Sequence, residues 1–189
     1  MSRVPGDLAP TAGQTVGPFF HDALPYPGDS ELVPPSRADA VRFHGVVVDG
    51  AGAPVPDALI EIWQADADGR IVQEPGSLRR DGFTFTGWGR SATDADGHYS
   101  FSTVRPGPTT PGTAPFVAVT VFARGLLNRL FTRAYLPGDP EALAATPLLA
   151  GLEPDRRSSL VAVEEGNGFR FDIHLQGEGE TVFLRHPRH

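Results

Sequence analysis

Six histidines, two Asp-x-Asp-Gly clusters, three tyrosines and a scatter of serines are the side chains in this sequence that could do chemistry. Histidines that share a metal from one strand stand at i and i+2, where both imidazoles leave the same face. His21, His44, His98, His174, His186 and His189 never take that spacing, and the last two fall in a Pro-broken, charged tail. Isolated histidines of this kind read as surface or core hydrogen-bonding groups. Asp66-Ala67-Asp68-Gly69 and Asp94-Ala95-Asp96-Gly97 open like calcium loops, but they lack a third oxygen residue before the glycine and a distal glutamate, so they read as tight turns. Gly166-Asn167-Gly168 and Gly177-Glu178-Gly179 are not followed by a helix whose N-terminus could cradle phosphate. The serines show no evident partners for hydrolysis.

The elements that must position these residues are constrained by composition. A chain of 189 residues buries roughly 70% of its unfolded surface in one core and is short for two domains. Gly 22 and Pro 19 beside 40% hydrophobic residues suit a turn-rich β protein. Lys+Arg 16 against Asp+Glu 23 gives a formal charge of -7 without a basic cluster, which argues against nucleic acid as a partner. With Cys 0 there are neither disulfides nor thiolate sites, as suits a cytoplasmic chain. Residues 1–10 have no signal-peptide pattern, and no apolar run reaches the roughly 20 residues of a membrane span.

Residues 1–40 carry seven prolines, which predicts an extended arm without helix or central strand, docked through Phe19, Phe20, Leu24 and Tyr26 on its own domain or a partner. Residues 41–184 break into β-branched and aromatic runs at 41–49, 58–64, 98–103, 116–123, 131–136, 169–175 and 180–184, and residues 185–189 form a flexible tail. The spacing predicts an all-β fold: a β-sandwich of mostly antiparallel strands, with an extended N-terminal arm and one or two short helices in loops. Asp49-Gly50, Asp68-Gly69 and Asp96-Gly97 should close hairpins, and the 58–64 strand should pair with 46–48. Asp139-Pro140-Glu141 opens one helical turn and Asp155 could cap another.

Four segments carry the reading further. Gln14-Thr15-Val16-Gly17-Pro18-Phe19-Phe20, the run ALIEIWQADADG at 58–69, TDADGHYSFSTVRPGP at 93–108 and FTRAYLPGDP at 131–140, with Phe169-Arg170-Phe171-Asp172-Ile173, together resemble the intradiol ring-cleaving dioxygenases. The Asp-Gly strand units alone also fit transthyretin-like or carbohydrate-binding sandwiches, the alternative reading. The resemblance implies non-haem ferric iron held by two tyrosinates and an H-x-H pair. Ferric iron is a hard ion that favours anionic oxygen, and the imidazoles complete the set. It further implies a catechol substrate opened by O₂ between its hydroxylated carbons.

This chain departs from that ligand pattern. By the resemblance the tyrosines would stand at Ile71 and Thr109 and the histidines at Val117 and Val119, so all four ligands are absent. The implied role is that of a subunit whose Fe(III) is bound by a partner chain of the same family, with this chain holding no metal and inactive alone. Thr15, Gly17, Pro18 and Phe19 would border the partner's pocket, and Arg133 would attract the carboxylate of a carboxylated catechol there. For Arg133 the alternative is an ordinary surface ion pair, and for the arm it is simple docking.

Overall fold

The computed structural model describes residues 14–15, 17, 19–74 and 80–185. Pro18, His186 and His189 lie outside the described residues. The chain runs through a short helix α1 (Phe19–Ala23) into β1 (Ala40–Val48), β2 (Leu59–Gln64), β3 (Trp88–Ala92), β4 (His98–Val104), β5 (Phe116–Phe122) and β6 (Leu130–Tyr135). Three short helices follow, α2 (Pro140–Ala145), α3 (Pro147–Ala150) and α4 (Pro154–Ser158), then β7 (Val163–Glu164), β8 (Gly168–Arg170) and β9 (Ile173–His174). One sheet has the order β4-β1-β8-β7 with β9 also on β1; the other is β3-β2-β5-β6, antiparallel throughout.

Period-two alternation accounts for the layers. In β5 every second residue is buried, and Val117, Val119 and Val121 meet Phe43, Val47, Tyr99, Phe101 and Phe171 of the facing sheet. Each large side chain sealed there contributes roughly 1.5–3 kcal/mol. Gly45 lets β1 reach its neighbour: a Cβ at that position would stand 2.0 Å from the Phe171 carbonyl oxygen. The aromatic core around Phe43 thus depends on a residue without a side chain.

Several expectations need correction. β1 and β2 do not pair; they lie in different sheets, and β1 meets the following loop only at the single bridge Val48↔Pro54. Sequence neighbours in a sandwich can change layer, and alternation reports faces, not partners. The Asp-Gly turns are real, but those after β1 and β3 lead into the opposite sheet, and the one after β2 opens a long loop to β3 instead of closing a tight hairpin. In each, an aspartate three residues before a positive-φ glycine closes the turn: Asp49 with Gly52, Asp66 with Gly69, Asp94 with Gly97. Oδ1 of each accepts two backbone N–H bonds, at 2.8 to 3.0 Å. Gly50, by contrast, has no positive φ.

The 169–175 run is broken at Phe171 and Asp172, where the Asp172 carboxylate accepts the Val46 N–H at 3.0 Å in place of a ladder bond. The 180–184 run makes only the bridge Phe131↔Leu184. The arm contains a helix after all, because no proline interrupts residues 19–24. It docks on its own sandwich: the His21 ring bonds the Thr93 carbonyl at 2.9 Å, Arg90 donates to Leu24, and Leu32 and Val33 are buried. Asp139 caps α2 as expected, whereas Asp155 lies inside α4, which starts at Pro154 after Glu153.

Candidate functional site

The face of the second sheet that looks away from the core is built in cross-strand rows. Arg133 stands opposite Ala118, Ala118 opposite Trp63, and Trp63 opposite Trp88; the next row is Phe131, Thr120, Glu61 and Arg90. One end of this face is roofed. Helices α2 and α3 bring Ala142 and Leu149 over Tyr135, which pairs with Phe116. At the other end α1 sets Phe20 6.4 Å from Phe122. Between them Trp63 remains 46% exposed, so the middle of the face is open.

The Trp63-Gln64-Ala65-Asp66 run explains how this face is fixed. Trp63 points out, while Gln64 points into the sandwich, donates to the Val104 carbonyl at 2.8 Å and accepts from the Thr103 hydroxyl at 2.9 Å. Both partners belong to β4, so one buried amide stitches the two sheets. Asp66 then closes the turn, and its carbonyl accepts the Gly107 N–H at 2.8 Å. That bond, with Gly69 packed against the Pro108 carbonyl, sets the loops carrying Ile71 and Thr109 side by side at the Phe116 end of β5.

Ile71 and Thr109 are exposed there and offer no tyrosinate. Val117 and Val119 do not belong to this face: each is 1% exposed and sealed between the sheets, where no substrate could reach. A one-residue change of parity turns a side chain to the opposite face. The β5 residues that look onto this face are Phe116, Ala118, Thr120 and Phe122, and at the end beside Ile71 and Thr109 these are Phe116 and Ala118, neither of which can coordinate a metal. The donor set here therefore does not fit ferric iron, and among the described residues no group of three or more His, Asp or Glu could hold a metal ion.

Arg133 sits at the edge of the roof. Its guanidinium lies 4.4 Å above the Phe116 ring, and Nη1 donates to the Tyr135 hydroxyl at 3.3 Å. Among the described residues no carboxylate pairs with it, so the surface ion-pair alternative is not what the structure contains. Arg90, on the same face, is paired with Glu61 and so neutralised. Thr15, Gly17 and Phe19 are exposed, Phe19 by 78%. They precede Phe20, which packs at the Phe122 end of the face, four residues or about 13 Å along the strand from Ala118, the residue opposite Arg133.

Sequence reasoning missed Phe116, Tyr135 and Gln64, whose roles depend on strand parity and sheet pairing. It also missed the approach of His44 to His98, at 3.4 Å across β1 and β4. Arg42 lies 3.1 Å from the same His98 nitrogen, a cation where a metal would have to sit. Burial, then the Arg42 charge, hold the His44 pKa below its usual value.

A family model described as a dioxygenase matches residues 30–177. The chain belongs to the intradiol dioxygenase family, whose members depend on non-haem iron. It is 36% identical over 203 residues to the alpha chain of protocatechuate 3,4-dioxygenase from Pseudomonas putida, covering 96% of this chain and 99% of that one. The beta chain of the same enzyme from Burkholderia cepacia is 33% identical over 202 residues, covering 97% and 83%. Among solved structures, the dioxygenase domain of a dioxygenase carbohydrate-binding protein fusion from Streptomyces sp. SirexAA-E superposes with a TM-score of 0.58 at 27% identity, covering 89% of this chain and 99% of that one. The expected β-sandwich and dioxygenase family are thus established, and the alternative of a non-catalytic transthyretin-like or carbohydrate-binding module is set aside. No helix among the described residues is long and apolar enough to cross a membrane.

Proposed function

We propose that this chain is the iron-free, alpha-type subunit of a cytoplasmic protocatechuate 3,4-dioxygenase acting in aromatic catabolism. A beta-type partner holds the Fe(III), and the pair cleaves protocatechuate with O₂ between its hydroxylated carbons to 3-carboxy-cis,cis-muconate. The observation that carries this reading is the open face itself. At the end of this face where the family resemblance puts the ligands, the chain has Ile71, Thr109, Phe116 and Ala118, none able to hold iron, and it is 36% identical to an alpha chain over 96% of its length. Phe116 and Ala118 replace Val117 and Val119 as the positions of the lost pair.

This chain's own residues bind and exclude. Arg133, charged and without a carboxylate partner among the described residues, attracts the substrate carboxylate at the interface with the partner. Thr15, Gly17, Pro18 and Phe19, the leading part of the arm in residues 1–40, form an edge of the partner's pocket. No atom of the described residues stands within 4 Å of where a Gly17 Cβ would be, which leaves its backbone room to approach a ligand, and Phe19 supplies an apolar wall that keeps water out.

Co-expression with a beta-type chain tests the reading through iron content and oxygen uptake. The expected results are iron only in the pair, and none in this chain made singly. Stoichiometric iron in the single chain would overturn it. In the pair, Arg133→Ala should weaken protocatechuate against plain catechol by about tenfold or more, since a hydrogen bond to a charged group contributes roughly 1.5–3 kcal/mol. Equal losses on both substrates would remove the carboxylate role.

A further inference from the structure

Arginines on this sandwich are held in two ways. Arg37, Arg70, Arg90, Arg105, Arg124 and Arg170 are each paired with a carboxylate. Arg133, like Arg42, Arg80, Arg156 and Arg157, has no carboxylate partner among the described residues; its holders are the Phe116 ring beneath its plane and the Tyr135 hydroxyl at Nη1, on the outer face of the second sheet. Both holders are themselves fixed. Tyr135 is 1% exposed, its N–H donates to the Leu160 carbonyl at 2.8 Å and its carbonyl accepts from Ala162 at 2.9 Å. The Phe116 ring lies 5.5 Å from the Tyr135 ring and packs into the core beneath α2 and α3.

A guanidinium stacked on an aromatic face keeps its in-plane donors free, and a hydroxyl acceptor sets the rotation of that plane without cancelling the charge. A carboxylate in the same place would fix the side chain equally well and neutralise it. We propose that Phe116 and Tyr135 are positioning residues that pre-orient Arg133, so that its full charge and remaining donors meet the carboxylate of an aromatic substrate. This rests on the substrate-facing role of Arg133 proposed above.

The test uses the assembled pair with Phe116→Leu, Phe116→Met and Tyr135→Phe, each alone and combined with Arg133→Gln. Readouts are KM and kcat on protocatechuate and on catechol, and anaerobic equilibrium binding of protocatechuate. Each single variant should lower the protocatechuate-to-catechol ratio of kcat/KM by roughly three- to tenfold through KM, the range for losing one such contact. Phe116→Tyr, which keeps the ring, should restore the ratio. In the Arg133→Gln background neither change should have a further effect. Equal effects on both substrates, or full additivity with Arg133→Gln, would overturn the positioning role while leaving the effect of Arg133→Gln itself intact. Loss of that effect would instead remove the substrate-facing role of Arg133, and this inference with it.

Discussion

Replacing Gln64 by leucine tests whether one amide joins the two sheets. The amide makes three hydrogen bonds in a site only 2% exposed: to the Val104 carbonyl at 2.8 Å, to the Ala65 carbonyl at 3.2 Å and from the Thr103 hydroxyl at 2.9 Å. Leucine is similar in size, so the change leaves little cavity. It does strand the Val104 carbonyl and the Thr103 hydroxyl against an apolar side chain, at a cost of about 1–3 kcal/mol each. The added apolar burial returns about 1 kcal/mol, so the net loss is about 3 kcal/mol. In thermal unfolding of the purified chain that corresponds to a fall in Tm of about 6–12 °C. In urea it should appear as a lower midpoint at unchanged slope. Adding Thr103→Val removes one of the stranded groups, so the double variant should be less destabilised than the sum of the singles by about 1 kcal/mol. A loss below about 1 kcal/mol, or strict additivity, would refute the stitch.

Gly45→Ala should cost about 3 kcal/mol or more, read as loss of soluble folded protein, because the new Cβ meets a backbone oxygen that cannot swing away. Wild-type stability there would mean that β1 and the Phe171 segment are not in contact. The His44 imidazole is disfavoured as a cation by burial, then by Arg42, His98 and Arg170, against the pull of Glu165. Its folded pKa is thus below the ordinary value of about 6.5, so the unfolded chain takes the proton first, and stability present above that pH is lost as pH falls through the lowered folded value. Arg42→Gln should make the fall in urea midpoint between pH 7 and 5 shallower; an unchanged slope would refute the account.

β1 and β5 were legible as strands because their runs are rich in β-branched and aromatic residues and bounded by turn signals. β3 was not: Trp88-Gly-Arg-Ser-Ala92 has no β-branched residue, and its extended form comes from pairing with β2. Layer assignment was equally hidden, since the Asp-x-x-Gly turns look alike whether they join paired strands or cross between sheets. At the site, Arg133, Ile71 and Thr109 were singled out by the family resemblance and not by any local pattern. The choice between Val117 and Phe116 could not be read at all, because parity along β5 is decided by which face the facing sheet covers. The pairing of Arg133 with Phe116 and Tyr135 then follows from the β5–β6 register, which no local pattern encodes.

The parallel placement of β8 on β1 has a consequence for how the protein is made. The Val46 N–H waits for its acceptor, the Asp172 carboxylate 126 residues further along, and the middle place in its sheet stays unfilled until then. Contacts of that separation form late and slowly. A ribosome that stops anywhere before residue 168 therefore releases a chain whose first sheet has an open, hydrogen-bond-hungry edge at β1, suited to aggregation or proteolysis. Only a chain made past β8 and Asp172 closes that edge, so translation itself screens which copies persist.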